Sequence, residues 1–243
     1  MRVLVLAGTS EARTLCARLT EHPKITAVAS LAGATEKPAA YAGKTRVGGF
    51  GGAIGLARYL RDRKTDVLVD ATHPFAVQIS ANACVAAAQT NRPLLRLERP
   101  EWKARPTERW IGAKSVEEAA TLLPTGSHAF LATGAKSLDQ FAHRADVRLT
   151  ARVIDMPSAA PGHITLLSAR PPFSGDDELA LFRKLHITHL VTKNAGGADG
   201  RTKLDAAALL GVEVIMIGRA PPGDGKTPRV ETPEDAIRWL EAL

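Results

Sequence analysis

Short apolar runs alternate along the chain with longer segments in which apolar residues recur every three or four positions. The opening stretch, MRVLVLAGTSEARTLCARL, has an apolar run from Val3 to Leu6 and then Leu15 and Leu19 at helical spacing. The same analysis predicts strands at 2–7, 25–31, 45–48, 66–70, 94–97, 109–112, 128–132, 147–154, 188–192, 213–218 and 228–230. It predicts helices at 10–21, 52–63, 76–90, 115–123, 135–143, 176–185, 202–210 and 233–242. Because strands that alternate with helices form parallel sheets covered on both faces, the chain is predicted to be an α/β protein.

Two stretches far apart in the chain share one layout. Residues 109–123 (RWIGAKSVEEAATLL) and 228–242 (PRVETPEDAIRWLEA) each combine a short strand, a Ser or Thr cap, acidic residues and an amphipathic helix. Each is predicted to close one α/β unit, and Pro124-Thr125-Gly126 forms a natural boundary. We therefore predict two Rossmann-like domains with parallel sheets, at 1–124 and 125–243. The interdomain cleft is the expected binding site, since ligands favour domain interfaces and the carboxyl ends of parallel strands.

The composition is that of a folded protein with a basic excess. Of 243 residues, 45% are apolar and 23% are charged, and 32 basic against 25 acidic residues give a formal net charge of +7. Such an excess indicates a polyanionic partner. Nucleic acid is disfavoured, because the basic residues are scattered and only 5% of residues are aromatic. A small molecule with several carboxylates or phosphates fits the charge at least as well.

Several classes of protein are disfavoured by what the sequence lacks. No apolar run approaches the roughly 20 residues of a membrane span. The first run is only a strand long and leads into a charged helix, unlike a signal peptide. We therefore expect a cytoplasmic monomer without membrane association. Cys16 and Cys84 lack C-x-x-C spacing and are expected to be buried thiols, and His186 and His189 lack a third ligand, so no metal site is predicted.

The turn after the first strand, Gly8-Thr9-Ser10, has the features of an anion site. It leads into a helix whose N-terminus offers unpaired N–H groups and a partial positive charge. A single glycine stands where a dinucleotide fingerprint would have G-x-G-x-x-G, so the pattern indicates a phosphate or a carboxylate without distinguishing them. The alternative is an ordinary helix start, with Thr9 or Ser10 as the N-cap and Glu11 in the first turn.

Three further loops at predicted strand ends have ligand-binding features. The segment Gly48-Gly49-Phe50-Gly51-Gly52 exposes backbone N–H groups and allows close approach of a ligand, although a flexible turn is the alternative. Thr133 and Gly134 begin an anion-binding turn, but the following lysine does not have Walker A spacing. Lys193 and Asn194 precede paired glycines, where the alternative is a plain loop before a helix.

Charged and polar side chains follow the fourth and fifth predicted strands. Asp70, Thr72 and His73 end the fourth strand, and the imidazole is either a functional group or a satisfied structural residue. Arg96 and Arg99 lie at the end of the fifth strand, and guanidinium groups bind carboxylates bidentately. An ion-paired loop is the alternative for these arginines.

Eight motifs occur in the order of one known family. They are GTSEAR at 8–13, SLAG at 30–33, RVGGFGG at 46–52, DATHPFA at 70–76, LRLERPEW at 95–102, TG at 133–134, TKNAGG at 192–197 and KLDAA at 203–207. With these motifs the chain resembles the precorrin-6A reductase family of cobalamin biosynthesis over nearly its whole length. The resemblance implies two α/β domains and an oxidoreductase that uses NADPH to reduce a double bond of precorrin-6A, giving precorrin-6B. The implied substrate is a tetrapyrrole with many acetate and propionate groups, which agrees with the net charge.

The resemblance also implies a cofactor site. Gly8, Thr9 and Ser10 would hold the pyrophosphate of NADPH, and Ser30 would lie near the adenosine ribose. Ala34 stands where family members often carry an arginine, which leaves the partner of the 2′-phosphate open. The absence of an acid after the second strand disfavours NADH. The cofactor-binding candidates are Gly8, Thr9, Ser10, Ser30, Gly49, Phe50, Gly51, Thr72, Thr133 and Gly134.

Reduction of a carbon–carbon double bond needs a hydride at one carbon and a proton at the next. Thr72 and His73 are expected beside the nicotinamide, with Lys193 and Asn194 on the facing domain. The catalytic candidates are Thr72, His73 and Lys193. The candidates for binding substrate are Arg96, Arg99, Lys193, Asn194 and Arg201.

Other interpretations stay open at this point. One is a two-lobed polyanion-binding protein without redox chemistry, and another is a different NADP-dependent α/β reductase. A short-chain type of reductase is disfavoured, because neither Tyr41 nor Tyr59 is followed by lysine in a Tyr-x-x-x-Lys pattern. Nor does the sequence distinguish a cobalt-free from a cobalt-bearing substrate.

Overall fold

Helices follow most of the strands in the computed structural model, which describes residues 1–33, 40–220 and 225–243. The strands in these ranges are β1 (Arg2–Leu6), β2 (Thr26–Leu31), β3 (Lys44–Val47), β4 (Val67–Asp70), β5 (Leu94–Leu97), β6 (Trp110–Ala113), β7 (His128–Ala132), β8 (Arg148–Val153), β9 (Ile164–Ser168), β10 (His189–Lys193), β11 (Glu213–Ile217) and β12 (Arg229–Val230). The α-helices are α1 (Ser10–Glu21), α2 (Gly52–Asp62), α3 (Val77–Thr90), α4 (Val116–Thr121), α5 (Gly175–Leu185), α6 (Thr202–Leu210) and α7 (Pro233–Glu241). The predicted α/β fold is confirmed.

The strands form two six-stranded sheets. The first has the order β12-β5-β4-β1-β2-β3 and the second has the order β6-β11-β10-β7-β8-β9. Every strand pair is parallel. In each sheet the chain first moves to one side of a central strand, β1 or β7, and then returns to its other side. This is the doubly wound order of nucleotide-binding folds, and the predicted pair of Rossmann-like parallel sheets is confirmed.

Each sheet takes its outermost sixth strand from a distant part of the chain. β12 joins the first sheet by pairing with β5, where Val230 is the register partner of Leu97. β6 joins the second sheet by pairing with β11, where Trp110 is the register partner of Val214. The strand that directly follows β5 in sequence therefore belongs to the second sheet, and the strand that follows β11 belongs to the first.

This exchange moves the boundary between the two units. One unit comprises Met1–Pro100 with Pro221–Leu243, and the other comprises Glu101–Ala220. The structure thus differs from the predicted division at residue 124. The two similar stretches, 109–123 and 228–242, do form a strand and a helix each, but each packs in the unit opposite to the expected one. Their local patterns are alike, so nothing in either stretch indicates which sheet it joins.

Helix starts follow the cap signals in the sequence. The side-chain oxygens of Thr9, Ser115 and Thr232 each accept a hydrogen bond from the backbone N–H three positions later. Such a cap is worth about 1 kcal/mol. Within the described ranges, no helix combines the length and the apolar character that crossing a bilayer requires.

The two cysteines are free, as expected, but differ in burial. Cys16 is buried in the core of the first unit, and this burial raises the pKa of its thiol to about 11. Cys84 is only partly buried.

Two elements differ from the sequence prediction. The segment predicted as a helix at 135–143 is a 3₁₀ helix over Ala135–Phe141. The strand β9 was not predicted, because proline-rich stretches on both sides of ITLLS are typical of a loop. β9 is an edge strand that only partly buries its residues, so its apolar signal is weak.

Because α7 packs in the first unit, a destabilising substitution in α7 should affect that unit. Leu240 is fully buried in the core that contains Val5 and Leu15. We expect Leu240→Ala to lower the free energy of unfolding by about 2–5 kcal/mol and to speed hydrogen exchange in β1 and β5. Leu209→Ala, at an exposed position of α6, is the control and should change stability by less than about 0.5 kcal/mol. Faster exchange confined to β7 and β10 in Leu240→Ala would contradict the assignment.

Candidate functional site

One row of register partners crosses the first sheet at its carboxyl edge. Arg46 pairs with Ser30, Ser30 with Leu6, Leu6 with Asp70, and Asp70 with Arg96. Register partners in a parallel sheet direct their side chains to the same face. Leu6 packs in the core that also contains residues of α2 and α3, so the whole row lies on that face. The row carries Arg46 at its β3 end and Arg96 on β5, and it continues to Arg229 on β12, the register partner of Arg96.

A buried ionic network occupies the β4–β5 part of this row. Arg96 forms an ion pair with Asp70 and donates from Nε to Glu98 Oε2 at 3.2 Å. Burial alone would lower the pKa of the Arg96 guanidinium, but Asp70 and Glu98 outweigh burial and raise it. Asp70 Oδ1 also accepts from the backbone N and Oγ1 of Thr72, at 3.1 and 2.7 Å. The hydroxyl of Thr72 is therefore bound inside the network.

The turn Gly8-Thr9-Ser10 is fixed against the end of β4. Thr9 Oγ1 accepts from Ala12 N at 3.1 Å and donates to Ala71 O at 3.0 Å. Gly8 has φ +151°, a value that side-chain-bearing residues rarely adopt. Thr9 is thus the N-cap of α1, as one interpretation of the sequence proposed. This bond joins the loops after β1 and β4, at the point where the strand order reverses.

His73 follows Thr72 but has a different environment. It is half-buried, and its Nδ1 accepts a hydrogen bond from Phe75 N at 3.2 Å. Because Nδ1 accepts, the neutral ring carries its proton on Nε2. The backbone of its own loop thereby helps to orient the ring.

The other end of the row is formed by Arg46. Its Nη1 donates to Ser30 Oγ at 2.7 Å and its Nη2 donates to Gly49 O at 3.1 Å. The guanidinium carbon lies 4.0 Å from the centre of the Phe50 ring. Sequence reasoning did not select Arg46, although its place at a strand end before four glycines could have drawn attention to it. Ala34 lies outside the described residues.

In the second unit, a lysine bridges the corresponding reversal of strand order. Lys193, at the end of β10, donates from Nζ to Thr133 O at 2.8 Å, just after β7. Burial lowers the pKa of the Lys193 ammonium. Thr133 Oγ1 accepts from Ser137 Oγ at 2.7 Å, and Gly134, with φ +86°, starts the 3₁₀ helix. Thr133 and Gly134, which follow β7, therefore form one local cluster with Lys193, at the end of β10.

Asn194 fixes the backbone of a distant segment in the same unit. Its Oδ1 accepts from Trp102 N at 2.8 Å and its Nδ2 donates to Trp102 O at 3.1 Å. Trp102 Nε1 in turn donates to Gly197 O at 2.7 Å. The side chain of Asn194, predicted to bind substrate, thus holds the segment after β5 against the loop after β10.

The three candidate arginines all have carboxylate partners. Arg99 Nη1 lies 2.9 Å from Glu11 Oε2, and Arg201 forms an ion pair with the buried Glu108. For Arg96 and Arg99 these contacts match the alternative of an ion-paired loop. Each guanidinium joins two segments of its own unit, which gives it a structural role whether or not a ligand also contacts it.

Comparison with known proteins identifies the family. The model of the family described as precorrin-6x reductase CbiJ/CobK matches residues 2–241. The chain belongs to this family. As a member it is an oxidoreductase, which agrees with the nucleotide-binding strand order described above.

Members of the precorrin-6x reductase family align over nearly the whole chain. The precorrin-6A reductase of Rhodococcus erythropolis is 48% identical, covering 100% of this chain and 98% of the relative. The cobalt-precorrin-6A reductase of Methanothermobacter thermautotrophicus is 31% identical, covering 90% of this chain and 76% of the relative. A solved structure of CobK precorrin-6A reductase superposes with a TM-score of 0.93 at 40% identity, covering 99% of this chain and 96% of the other.

The buried network predicts a large cost for removing Arg96. Arg96→Met would leave Asp70 without its buried counter-charge, and we expect the free energy of unfolding to fall by about 3–5 kcal/mol. Arg229→Met is the matched control, because Arg229 is the half-exposed partner of Glu98 and should cost less than about 1 kcal/mol. Denaturant unfolding measures both. Equal effects of the two substitutions would contradict the role of the Asp70–Arg96 pair.

Proposed function

We propose that this chain reduces a carbon–carbon double bond of precorrin-6A with NADPH to give precorrin-6B. The observation that carries the proposal is the carboxyl edge of the first sheet, where a doubly wound strand order, a helix-starting turn and a cationic strand end occur in a member of a reductase family. A polyanion-binding protein would not need the nicotinamide cofactor that a reductase requires. The named relatives support the choice of substrate.

The residues at this edge fit a dinucleotide with a 2′-phosphate. Gly8 provides the tight turn that brings α1 against β1, and Thr9 fixes this turn to the end of β4. Ser30 stands near the end of β2, where an enzyme specific for NADH usually has an acid that binds the ribose hydroxyl. Leu31 and Gly33 follow without a carboxylate. The pyrophosphate is assigned to Gly8, Thr9 and Ser10.

The arginine contacts support a revised role for the predicted substrate ligands. Arg96, Arg99 and Arg201 each neutralise a carboxylate of their own unit. We therefore assign them the task of holding loops in place, so that a polycarboxylate substrate meets fixed backbone and side-chain donors. A desolvated guanidinium that already has a buried partner gains less from a second carboxylate than an uncompensated cation does.

The chain must supply a proton to the carbon next to the one that is reduced. When bound, NADPH would supply the hydride. Lys193 is our first candidate for the proton, because burial lowers the pKa of its ammonium and makes it a stronger acid than an ordinary lysine. His73 is the second, since its loop orients the imidazole. The bond from Lys193 to Thr133 O fixes Nζ in place.

The sequence relationships favour the cobalt-free substrate. Relatives named precorrin-6A reductase are 48% and 41% identical to this chain, whereas those named cobalt-precorrin-6A reductase are 31% and 30% identical. We therefore expect precorrin-6A to be reduced faster than its cobalt-bearing counterpart.

An anaerobic single-turnover experiment tests the proposed reaction. Enzyme, NADPH and precorrin-6A are mixed, and nicotinamide absorbance and the tetrapyrrole spectrum are followed together. We expect loss of one NADPH for each macrocycle reduced, and a slower reaction with cobalt-precorrin-6A. Failure to bind NADPH would favour the polyanion-binding protein. Binding of both ligands without a spectral change, with either substrate, would exclude the reductase assignment.

The proton donor is tested by the pH dependence of the same single turnover. If Lys193 donates, the rate falls as pH rises through its pKa, and this fall comes below the ordinary lysine value of about 10.4. Lys193→Met should slow the reaction by about 10²–10⁴-fold and abolish this alkaline limb. Lys184→Met, at an exposed position of α5, is the control. An unchanged limb in Lys193→Met together with a lost pH dependence in His73→Asn would assign the proton to His73.

A further inference from the structure

A cavity of about 390 Å³ opens at the amino edge of the first sheet, the edge opposite to the candidate functional site. Three of the residues that line it are the first residues of their strands, Arg2 of β1, Thr26 of β2 and Lys44 of β3. We propose that this cavity binds a small organic polycarboxylate, a molecule with an apolar body and two or three separated carboxylates. The proposed reduction does not use this edge, so the inference goes beyond that function.

Strand register gives the cavity an apolar floor with cations around it. Leu4 pairs in register with Val28, and Val28 pairs with Lys44, so these three side chains lie on the same face of the sheet. Leu4 is buried in the core beneath α2, and Val28 packs against that core. Arg2 precedes Leu4 by two positions on β1 and therefore shares its face. An apolar body would lie on Leu4 and Val28, between the charges of Arg2 and Lys44.

The last turn of α2 supplies another wall of the cavity. Tyr59 and Arg63 lie one turn apart there, and the guanidinium carbon of Arg63 is 5.9 Å from the centre of the Tyr59 ring. Arg2 Nη1 donates to Arg63 O at 3.3 Å, which holds the Arg2 side chain against the end of the helix. The backbone N of Arg2 donates to Asp66 Oδ2 at 2.7 Å. The side chain and the backbone of Arg2 are therefore both fixed before a ligand binds.

The cations of the cavity have no carboxylate partner in the part of the chain that the structure describes. Within residues 1–33, 40–220 and 225–243, no Asp or Glu oxygen lies within 4.0 Å of the charged nitrogens of Arg2, Lys44 or Arg63. None of the lining residues is acidic. Arg2 and Lys44 lie two strands apart, roughly 10 Å across the sheet. Separated carboxylates of one molecule therefore match these charges better than a single compact anion does.

A buried hydroxyl that lacks a partner also lines the cavity. Thr65 is only 4% exposed, and its backbone N donates to Leu60 O at 2.9 Å. Its hydroxyl makes no hydrogen bond to the residues that the structure describes, and its oxygen keeps some solvent contact. Burying an unpaired hydroxyl is unfavourable, and a carboxylate that accepts its proton removes this cost. Thr65 thus distinguishes the cavity from a patch of surface charge.

Isothermal titration with benzene-1,3,5-tricarboxylate tests the site on the whole chain, without relying on turnover. This probe has three separated carboxylates on an apolar ring. Benzoate, which has the same ring and one carboxylate, is the matched ligand control. We expect the tricarboxylate to bind and benzoate to bind at least about 10-fold more weakly, because benzoate can pair with only one of the cations. Inorganic phosphate, a compact anion, should also bind at least about 10-fold more weakly than the tricarboxylate.

Four variants locate the bound tricarboxylate. Lys44→Gln and Arg63→Gln each remove an exposed charge that has no hydrogen bond in the described ranges, and each should weaken binding by about 5- to 20-fold. Thr65→Val removes the unpaired hydroxyl and should weaken binding by about 3- to 10-fold. Arg58→Gln is the control, because it removes the same charge at an exposed position of α2 that does not line the cavity. It should change the affinity by less than about twofold. Circular dichroism checks that each variant is folded.

Several outcomes would overturn the inference. If the tricarboxylate does not bind, or binds no more tightly than benzoate or phosphate, the cavity is not a polycarboxylate site. If Lys44→Gln and Arg63→Gln leave its affinity unchanged, the probe binds elsewhere. If these two variants weaken binding but Thr65→Val does not, or if Arg58→Gln weakens it equally, surface charge alone attracts the probe. None of these results bears on the reductase assignment, which the single-turnover reaction tests separately.

Discussion

Asp70 and Arg96 are register partners whose buried ion pair ties the carboxyl ends of β4 and β5 together. Through Asp70 the pair also fixes Thr72, and through hydrogen bonds to Ser80 and Glu98 it reaches α3 and the segment after β5. Removing one member would leave a charge in a site from which water is excluded, and this cost makes the arrangement hard to change. The loop that carries His73 therefore starts from a rigid base.

The second unit has a different contact at its corresponding position. There the ammonium of Lys193 donates to the carbonyl of Thr133 and joins the loops after β7 and β10. In the first unit the hydroxyl of Thr9 donates to the carbonyl of Ala71 and joins the loops after β1 and β4. Burial lowers the pKa of the Lys193 ammonium. The same strand order thus places the neutral side chain of Thr9 at this position in the first unit and the partly buried ammonium of Lys193 in the second.

The alternation of strands and helices could be predicted from the sequence because hydrophobic periodicity is a local property. The strand ends at which the candidates lie were also predictable, since polar residues and glycines follow each buried run. The exchange of β6 and β12 was not, because 109–123 and 228–242 have the same local pattern and differ only in their distant partners. The strand β9 was missed for a related reason, as its position at a sheet edge leaves it little apolar signal.

Arginine roles were the least predictable part of the candidate site. Arg99 pairs with a glutamate 88 positions away and Arg201 with one 93 positions away, and no local pattern indicates such contacts. The formal charge of +7 counts these arginines like any others, although their charges are balanced inside the fold. Attraction of a polyanionic cofactor or substrate depends instead on cations that the fold holds in place without a carboxylate partner. Among the residues that the structure describes, Arg46 meets this condition at the carboxyl edge of its own sheet. The place at which a cation is held therefore matters more for attracting an anion than the total charge does.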